Sequence, residues 1–140
     1  MGMLKKIDHI GIVVRNLDDA LKTYKTAFDL DPIRQEEIEE TKLKIAFIQV
    51  GEVLIEFLEP MEPGFGMIGE FLDKKGEGIH HIAYRVEDIE TAMEKIRKVA
   101  LPLMHEGPQD GADASKIAFM EAAFTQNVLT ELVERKREVA

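Results

Sequence analysis

The sequence predicts an α+β fold: two tandem β-α-β-β-β modules whose strands join in a curved mixed sheet with a concave metal site. Three observations carry this expectation. The segment Ile7-Asp8-His9-Ile10-Gly11-Ile12-Val13-Val14 returns as Ile79-His80-His81-Ile82-Ala83-Tyr84-Arg85-Val86, at an offset of 72 residues from His9 to His81. Lys44-Ile45-Ala46-Phe47 returns at the same offset as Lys116-Ile117-Ala118-Phe119. Val53-Leu54-Ile55-Glu56 is matched by Val128-Leu129-Thr130-Glu131 at an offset of 75, so the second copy carries a three-residue insertion between these segments. The chain is thus internally duplicated, and each half brings one histidine and one carboxylate to equivalent places.

Each element follows from its residues. Ile7 to Val14 is β-branched and apolar enough for a buried strand. Asn16 supplies an N-cap, with Asp18 and Asp19 in the first turn favoured by the helix dipole. Leu17, Ala20, Leu21, Tyr24 and Phe28 then form one apolar stripe at helical spacing. Residues 29–32 end that helix, and 32–40 read as a polar edge strand whose charges discourage edge-to-edge pairing. Residues 43–50 and 53–59 form a hairpin through Gly51-Glu52. Module one therefore spans 5–59. In the connecting segment, 60–77, only residues 67–75 look helical, with Ile68, Phe71 and Leu72 as the apolar side. Module two, 78–134, repeats the scheme. Residues 80–86 are a strand, and Asp88 caps a helix that turns Ile89, Ala92, Met93 and Ile96 to one face. Residues 102–106 are the expected outer strand and 107–114 a loop. Residues 116–120 and 128–134 make the last hairpin, and charged Glu134 to Glu138 is expected to fray.

At 140 residues, with 45% hydrophobic and 32% charged residues, the chain is one domain's worth and long enough to bury a core. No apolar run reaches the ~20 residues of a membrane span, and no signal-peptide core is present. The absence of cysteine fits a reducing compartment, with the cytoplasm as the expected address, and excludes a thiolate nucleophile. A net charge of −9 argues against general nucleic-acid binding.

Strand alternation puts His9 on a face with Gly11 and Val13, and His81 on one with Ala83 and Arg85. Glu56 falls in a row with Leu54 and Leu58, and Glu131 in one with Leu129 and Val133. Both carboxylates interrupt apolar rows, and a buried carboxylate needs a partner. A shared divalent cation answers that need, so His9, Glu56, His81 and Glu131 are the expected metal ligands. Two nitrogens and two carboxylates suit a borderline ion such as Co, Mn, Ni, Fe or Zn. Taken singly, a strand histidine is more often a packed core residue. The duplication tips the balance, because a repeated folding need recurs as Ile, Val or Phe rather than as His and Glu. His80 lies on the opposite face from His81 and reads as structural, His105 as solvated. Glu36-Glu37 and Glu39-Glu40 read as a solvated edge.

These residues resemble the vicinal oxygen chelate superfamily, and within it the methylmalonyl-CoA epimerase family. The resemblance spans nearly the whole chain. Its most specific stretch is Phe71-Leu72-Asp73-Lys74-Lys75-Gly76-Glu77-Gly78-Ile79-His80-His81-Ile82-Ala83, supported by Ile7-Asp8-His9-Ile10-Gly11-Ile12 and Ile55-Glu56-Phe57-Leu58-Glu59-Pro60. It implies metal ligation by His9, His81 and Glu131, with Glu56 at a position that carries Gln or Glu near the metal. It also implies an acyl-CoA thioester substrate and a homodimer. The implied chemistry is R/S interconversion of methylmalonyl-CoA, with the α proton moved through a metal-stabilised enolate. Glu131 is then a candidate base. Inversion also needs a group on the opposite face. Where some relatives carry a glutamate for it this chain has Ile45, so the opposing acid is unassigned, with Glu40 a weak substitute and a metal-bound water the alternative. The chain also has Glu121-Ala122-Ala123 in place of a His-Pro-Lys turn, and Asp113 and Ala114 where glycines are usual.

Two other enzymes fit the same scaffold less well: a lactoylglutathione-lyase-like isomerase, and a dioxygenase, which a fourth protein ligand would crowd. A non-catalytic small-molecule-binding protein would keep the sheet without needing the ligand set.

Overall fold

Capping and alternation place most elements where the residue pattern puts them. A computed structural model describes residues 2–139. The elements are β1 (Lys6–Val13), α1 (Leu17–Phe28), β2 (Arg34–Ile38), β3 (Leu43–Val50), β4 (Val53–Pro60), α2 (Gly66–Lys75), β5 (Gly78–Arg85), α3 (Ile89–Lys98), β6 (Gln109–Asp110), β7 (Lys116–Met120) and β8 (Thr130–Glu134). The strands are hydrogen-bonded in the order β2-β3-β4-β1-β5-β8-β7-β6. β5 and β8 run parallel, whereas β2–β3, β3–β4, β6–β7 and β7–β8 are antiparallel. A mixed sheet with three helices is the α+β class expected. Among the described residues, no helix is long and apolar enough to cross a membrane.

The duplication is visible in the hydrogen bonds. In the first hairpin Phe47 lies opposite Glu56, and Ile48 opposite Ile55. In the second, Phe119 lies opposite Glu131, and Met120 opposite Thr130. The three extra residues therefore fall in the connection between β7 and β8. The helix starts repeat as well. Asn16 accepts from the Asp19 amide, and Asp88 from the Thr91 amide. Glu59 of β4 accepts from the Leu17 amide at 2.6 Å, and Glu134 of β8 from the Ile89 amide at 3.0 Å. Each glutamate occupies one of the first-turn donors that a helix cannot satisfy internally.

The chain divides into two compact units. One comprises the residues through His9 with His81–Glu138, the other Ile10–His80 with Val139, so the boundaries lie inside β1 and β5. In the first unit, Ile89, Ala92, Met93 and Ile96 of α3 pack on Ala118, Met120 and Leu132. In the second, Leu17, Ala20, Leu21 and Tyr24 of α1 pack with Ala46, Ile48 and Phe57. Within each unit, one face of its hairpin is thereby committed to a helix. Alternation turns the other residues, among them Phe47 and Glu56 in one and Phe119 and Glu131 in the other, to the opposite face.

Three expectations need correction. Phe28 is 62% exposed and only stacks edge-on against Tyr24, because α1 ends there in a left-handed residue, Asp29. The outer strand expected at 102–106 reduces to a single bridge, Leu103 to Met120, and a two-residue strand forms instead at Gln109–Asp110, inside the expected loop. Nor is the charged stretch after β8 frayed. The Arg135 side chain is 2% exposed and paired with Asp8, Arg137 pairs with Asp113, and Glu138 pairs with Arg85. The Arg135 side chain is buried, while Arg137 and Glu138 stay exposed but ion-paired.

Candidate metal centre

His9 stands on β1, His81 on β5 and Glu131 on β8, all three buried. β5 pairs with β8 in parallel so that Ala83 lies opposite Glu131. The two imidazole Nε2 atoms are 3.1 Å apart. Glu131 places Oε2 3.0 Å from His81 Nε2 and Oε1 3.6 Å from His9 Nε2. The Phe119 ring, opposite Glu131 in the hairpin, meets His81 edge-on at 5.6 Å.

The protonation of this group follows from Asp8. Its carboxylate is wholly buried and meets His9 Nδ1 at 2.6 Å. Arg85 donates to it at 2.7–2.8 Å, and Arg135 at 3.0–3.3 Å. Burial alone would raise the Asp8 carboxyl, but the hydrogen bonds from His9 and Arg135 and their charges outweigh it. The carboxyl is held well below the usual range. An ionised carboxylate only accepts, so His9 Nδ1 carries a proton, and when the ring is neutral Nε2 is its acceptor. Burial likewise pushes the Glu131 carboxyl up, and the imidazoles of His81 and His9 overcome this and bring it to about 2. Two imidazoles and a carboxylate thus converge in a buried site. Such a donor set fits a divalent cation, with Asp8 orienting one ligand from behind as metal-bound histidines generally require.

Glu56, the fourth expected ligand, is buried in the other compact unit. Glu56 comes from β4, opposite Phe47.

The remaining sequence candidates part ways. His80 is buried with its ring against Phe71 at 5.1 Å, the structural place expected. His105 was expected in solvent, but its Nε2 is buried with no hydrogen-bond partner among the described residues, and its ring tilts against Phe119 at 6.0 Å. Glu40 is exposed in the turn after β2. Glu36 is no solvated edge residue: its side chain keeps 17% of its exposure and accepts from Arg34 Nε at 2.7 Å. Asp113 and Ala114 both adopt positive φ, 51° and 57°, the backbone that explains a preference for glycine there. Asp8, Arg85 and Arg135 escaped the sequence reading. The one available signal was a carboxylate inside an apolar strand beside a candidate ligand.

Comparison with known proteins gives the family. Residues 8–119 match the family model of the glyoxalase/bleomycin resistance protein/dioxygenase superfamily. The chain belongs to that superfamily. It is 36% identical over 133 residues to the uncharacterized protein YqjC of Bacillus subtilis, covering 95% of this chain and 94% of that one. It is 28% identical to an ethylmalonyl-CoA/methylmalonyl-CoA epimerase of Cereibacter sphaeroides, over 93% of this chain and 98% of the relative. Among solved structures it superposes with TM-score 0.90 and 30% identity on a Streptomyces coelicolor methylmalonyl-CoA epimerase in complex with 2-nitronate-propionyl-CoA, covering 96% and 99% of the two chains. The fold and the enzyme class, an epimerase-like isomerase, rest on these full-length likenesses.

Proposed function

We propose that the protein is a metal-dependent epimerase that moves the α proton of methylmalonyl-CoA or a closely related malonyl-type thioester. The observation that carries this reading is the convergence of His9, His81 and Glu131, with Asp8 fixing the His9 tautomer. The substrate class is supported by relatives that are methylmalonyl-CoA epimerases, one with a propionyl-CoA analogue bound. His9, His81, Glu131 and Glu56 would hold a divalent ion of the Co, Mn, Ni, Fe or Zn type. When bound, that ion supplies a Lewis acid that stabilises the enolate oxygen formed on deprotonation.

The chain's own residues do the rest. Asp8 accepts the His9 Nδ1 proton and so keeps Nε2 aimed into the site. The buried apolar surroundings, Phe119 among them, exclude water that would quench an enolate. Glu131 is the candidate to take the α proton from one face and return it. Its depressed titration suits ligation better than basicity, so we assign it ligation first. A homodimer working in the cytoplasm completes the proposal, and sedimentation of the purified protein tests the assembly.

The decisive test is incubation with methylmalonyl-CoA and added metal in D2O. Deuterium should enter the α position at a rate that chelation abolishes. Incorporation no faster than in the chelated control would reject the reading.

A further inference from the structure

Asp8 can fix His9 only if Asp8 is itself fixed. The torsion that turns an aspartate carboxylate is broad, so one hydrogen bond to an imidazole does not lock it. Two arginines reach this carboxylate, and they do different work. Arg85 donates to Oδ1, from Nε at 2.8 Å and Nη2 at 2.7 Å. Its guanidinium is shared with Glu138, to which Nη1 and Nη2 donate at 3.2 and 2.8 Å. Arg135 spans both oxygens. Its Nη2 donates at 3.0 Å to Oδ2, the oxygen that meets His9 Nδ1, and its Nε lies 3.1 Å from Oδ1 and 3.3 Å from Oδ2. A planar guanidinium set across both oxygens holds the torsion that contact with one oxygen leaves loose.

Arg135 is held in turn. Its side chain is 2% exposed, and Nη1 donates to the Ala112 carbonyl at 3.4 Å. Ala112 is buried in the short turn Ala112–Ala114, which the Gly111 amide closes by donating to the Ser115 carbonyl at 2.9 Å. A Cβ at position 111 would lie 2.5 Å from Ser115 Oγ and 2.7 Å from the Ile117 side chain, so this close approach requires glycine. Asp8, His9, Arg85, residues 111–115 and Arg135 all belong to one compact unit, together with His81 and Glu131. Burying a guanidinium carries a desolvation cost that an apolar residue of similar volume would not. Cohesion alone therefore gives no reason for an arginine here.

We propose that Arg135 is a positioning residue of the metal centre. It clamps both oxygens of Asp8 and, through Asp8, sets the direction in which His9 presents Nε2. This assignment rests on the reading of His9, His81 and Glu131 as metal ligands. What Arg135 adds is a ligand already oriented before an ion arrives.

The test is calorimetric titration of metal-stripped protein with Co2+. Arg135→Met should weaken binding about 10–100-fold, the loss that follows when a ligand's outer partner is disturbed. Arg135→Lys keeps the buried charge without the fork and should fall between Arg135→Met and wild type, which keeps the test open should Arg135→Met fail to fold. Arg137→Met removes an exposed partner of Asp113 and should bind within about twofold of wild type. Because Arg135 acts through Asp8, the double variant Asp8→Asn/Arg135→Met should bind within about twofold of Asp8→Asn alone. In the metal-free protein, at a pH where the ring is neutral, 15N shifts of His9 should show the Nε2–H tautomer in Arg135→Lys and not in wild type.

Co2+ binding by both Arg135 variants within about twofold of wild type overturns the assignment and leaves the metal centre standing. Additive losses in the double variant also overturn it, since Arg135 would then act by another route. So does weakened binding with an unchanged His9 tautomer, the mark of a merely structural arginine. A wild type that binds no Co2+ rejects the metal centre, and the assignment with it.

Discussion

In the hairpin β3–β4, Glu56 lies opposite Phe47; in β7–β8, Glu131 lies opposite Phe119. The two hairpins also use Glu59 and Glu134 alike, each occupying the first amide of a helix. They part at the margins. The first is flanked by a five-residue outer strand carrying Arg34 and Glu36, the second by a two-residue strand and a single bridge. The strands that hold the histidines differ too. Position 8 is a wholly buried aspartate bound to two arginines, and the equivalent position 80 is a histidine resting on Phe71. What is repeated is the backbone pairing and capping that each half needs in order to fold. What differs are the charged side chains that set the protonation of the site, which are needed only once.

The sharpest way to break this comparison is at the carboxylates. His81→Ala and Glu131→Ala are each expected to lose bound metal and to lower α-proton exchange on the order of 1,000-fold. Glu56→Ala should follow them if both halves ligate. Elemental analysis beside the exchange assay decides, and a Glu56 variant with full metal content would make the centre one-sided.

Next comes position 8 against position 80. Asp8→Asn should weaken metal binding about 10–100-fold by releasing the His9 tautomer. It should also cost about 3–5 kcal/mol by leaving Arg135 under-compensated in the interior. His80→Gln should leave metal affinity within about twofold. Equal losses in metal titrations of the two variants would show that the asymmetry is only apparent.

The same aspartate sets the acid limb of stability. Its folded titration lies below the unfolded value of about 3.9, so its contribution is complete above that pH and is lost as pH falls towards the folded value. Denaturation profiles of the metal-free protein between about pH 5 and about pH 2 should therefore flatten in Asp8→Asn. An unchanged slope counts against the linkage.

Smaller effects probe what the halves share. Glu59→Gln and Glu134→Gln should each cost about 1 kcal/mol, because each weakens one helix-start contact. Markedly unequal urea midpoints would mean that the duplicated caps are not energetically equivalent. The smallest change expected is a gain. Ala114→Gly relieves a left-handed alanine and should stabilise by about 0.5–1 kcal/mol in thermal unfolding.

Much of this molecule was legible beforehand because local rules governed it. Asn16 and Asp88 cap where they stand, α3 buries the four residues its spacing selects, and Gly51 takes the positive φ of a tight turn. The histidines and carboxylates stood out because chemistry-bearing residues recurred at the spacing of the strands. Glu36 did not stand out, since among neighbouring glutamates only pairing with β3 reveals which one turns inward. His105 was misjudged for the same reason: nothing adjacent in the chain shows that Phe119 will cover it.

The sequence by itself determined the repeated elements, their caps and the four residues expected to ligate, since these depend on spacing along the chain and on the cost of burying a carboxylate. Only the tertiary structure decided that Asp8 orients His9, that Arg135 and Glu138 tie the last charged stretch to Asp8 and Arg85, and that Arg34 meets Glu36 beside Ile45. Asp8 and His9 are adjacent and Arg34 and Glu36 only two apart, but Arg85 and Arg135, which hold Asp8, and Ile45, beside Glu36, come from far along the chain or from the next strand. The energies of these contacts depend on burial and charge at the point of meeting, which no local pattern records.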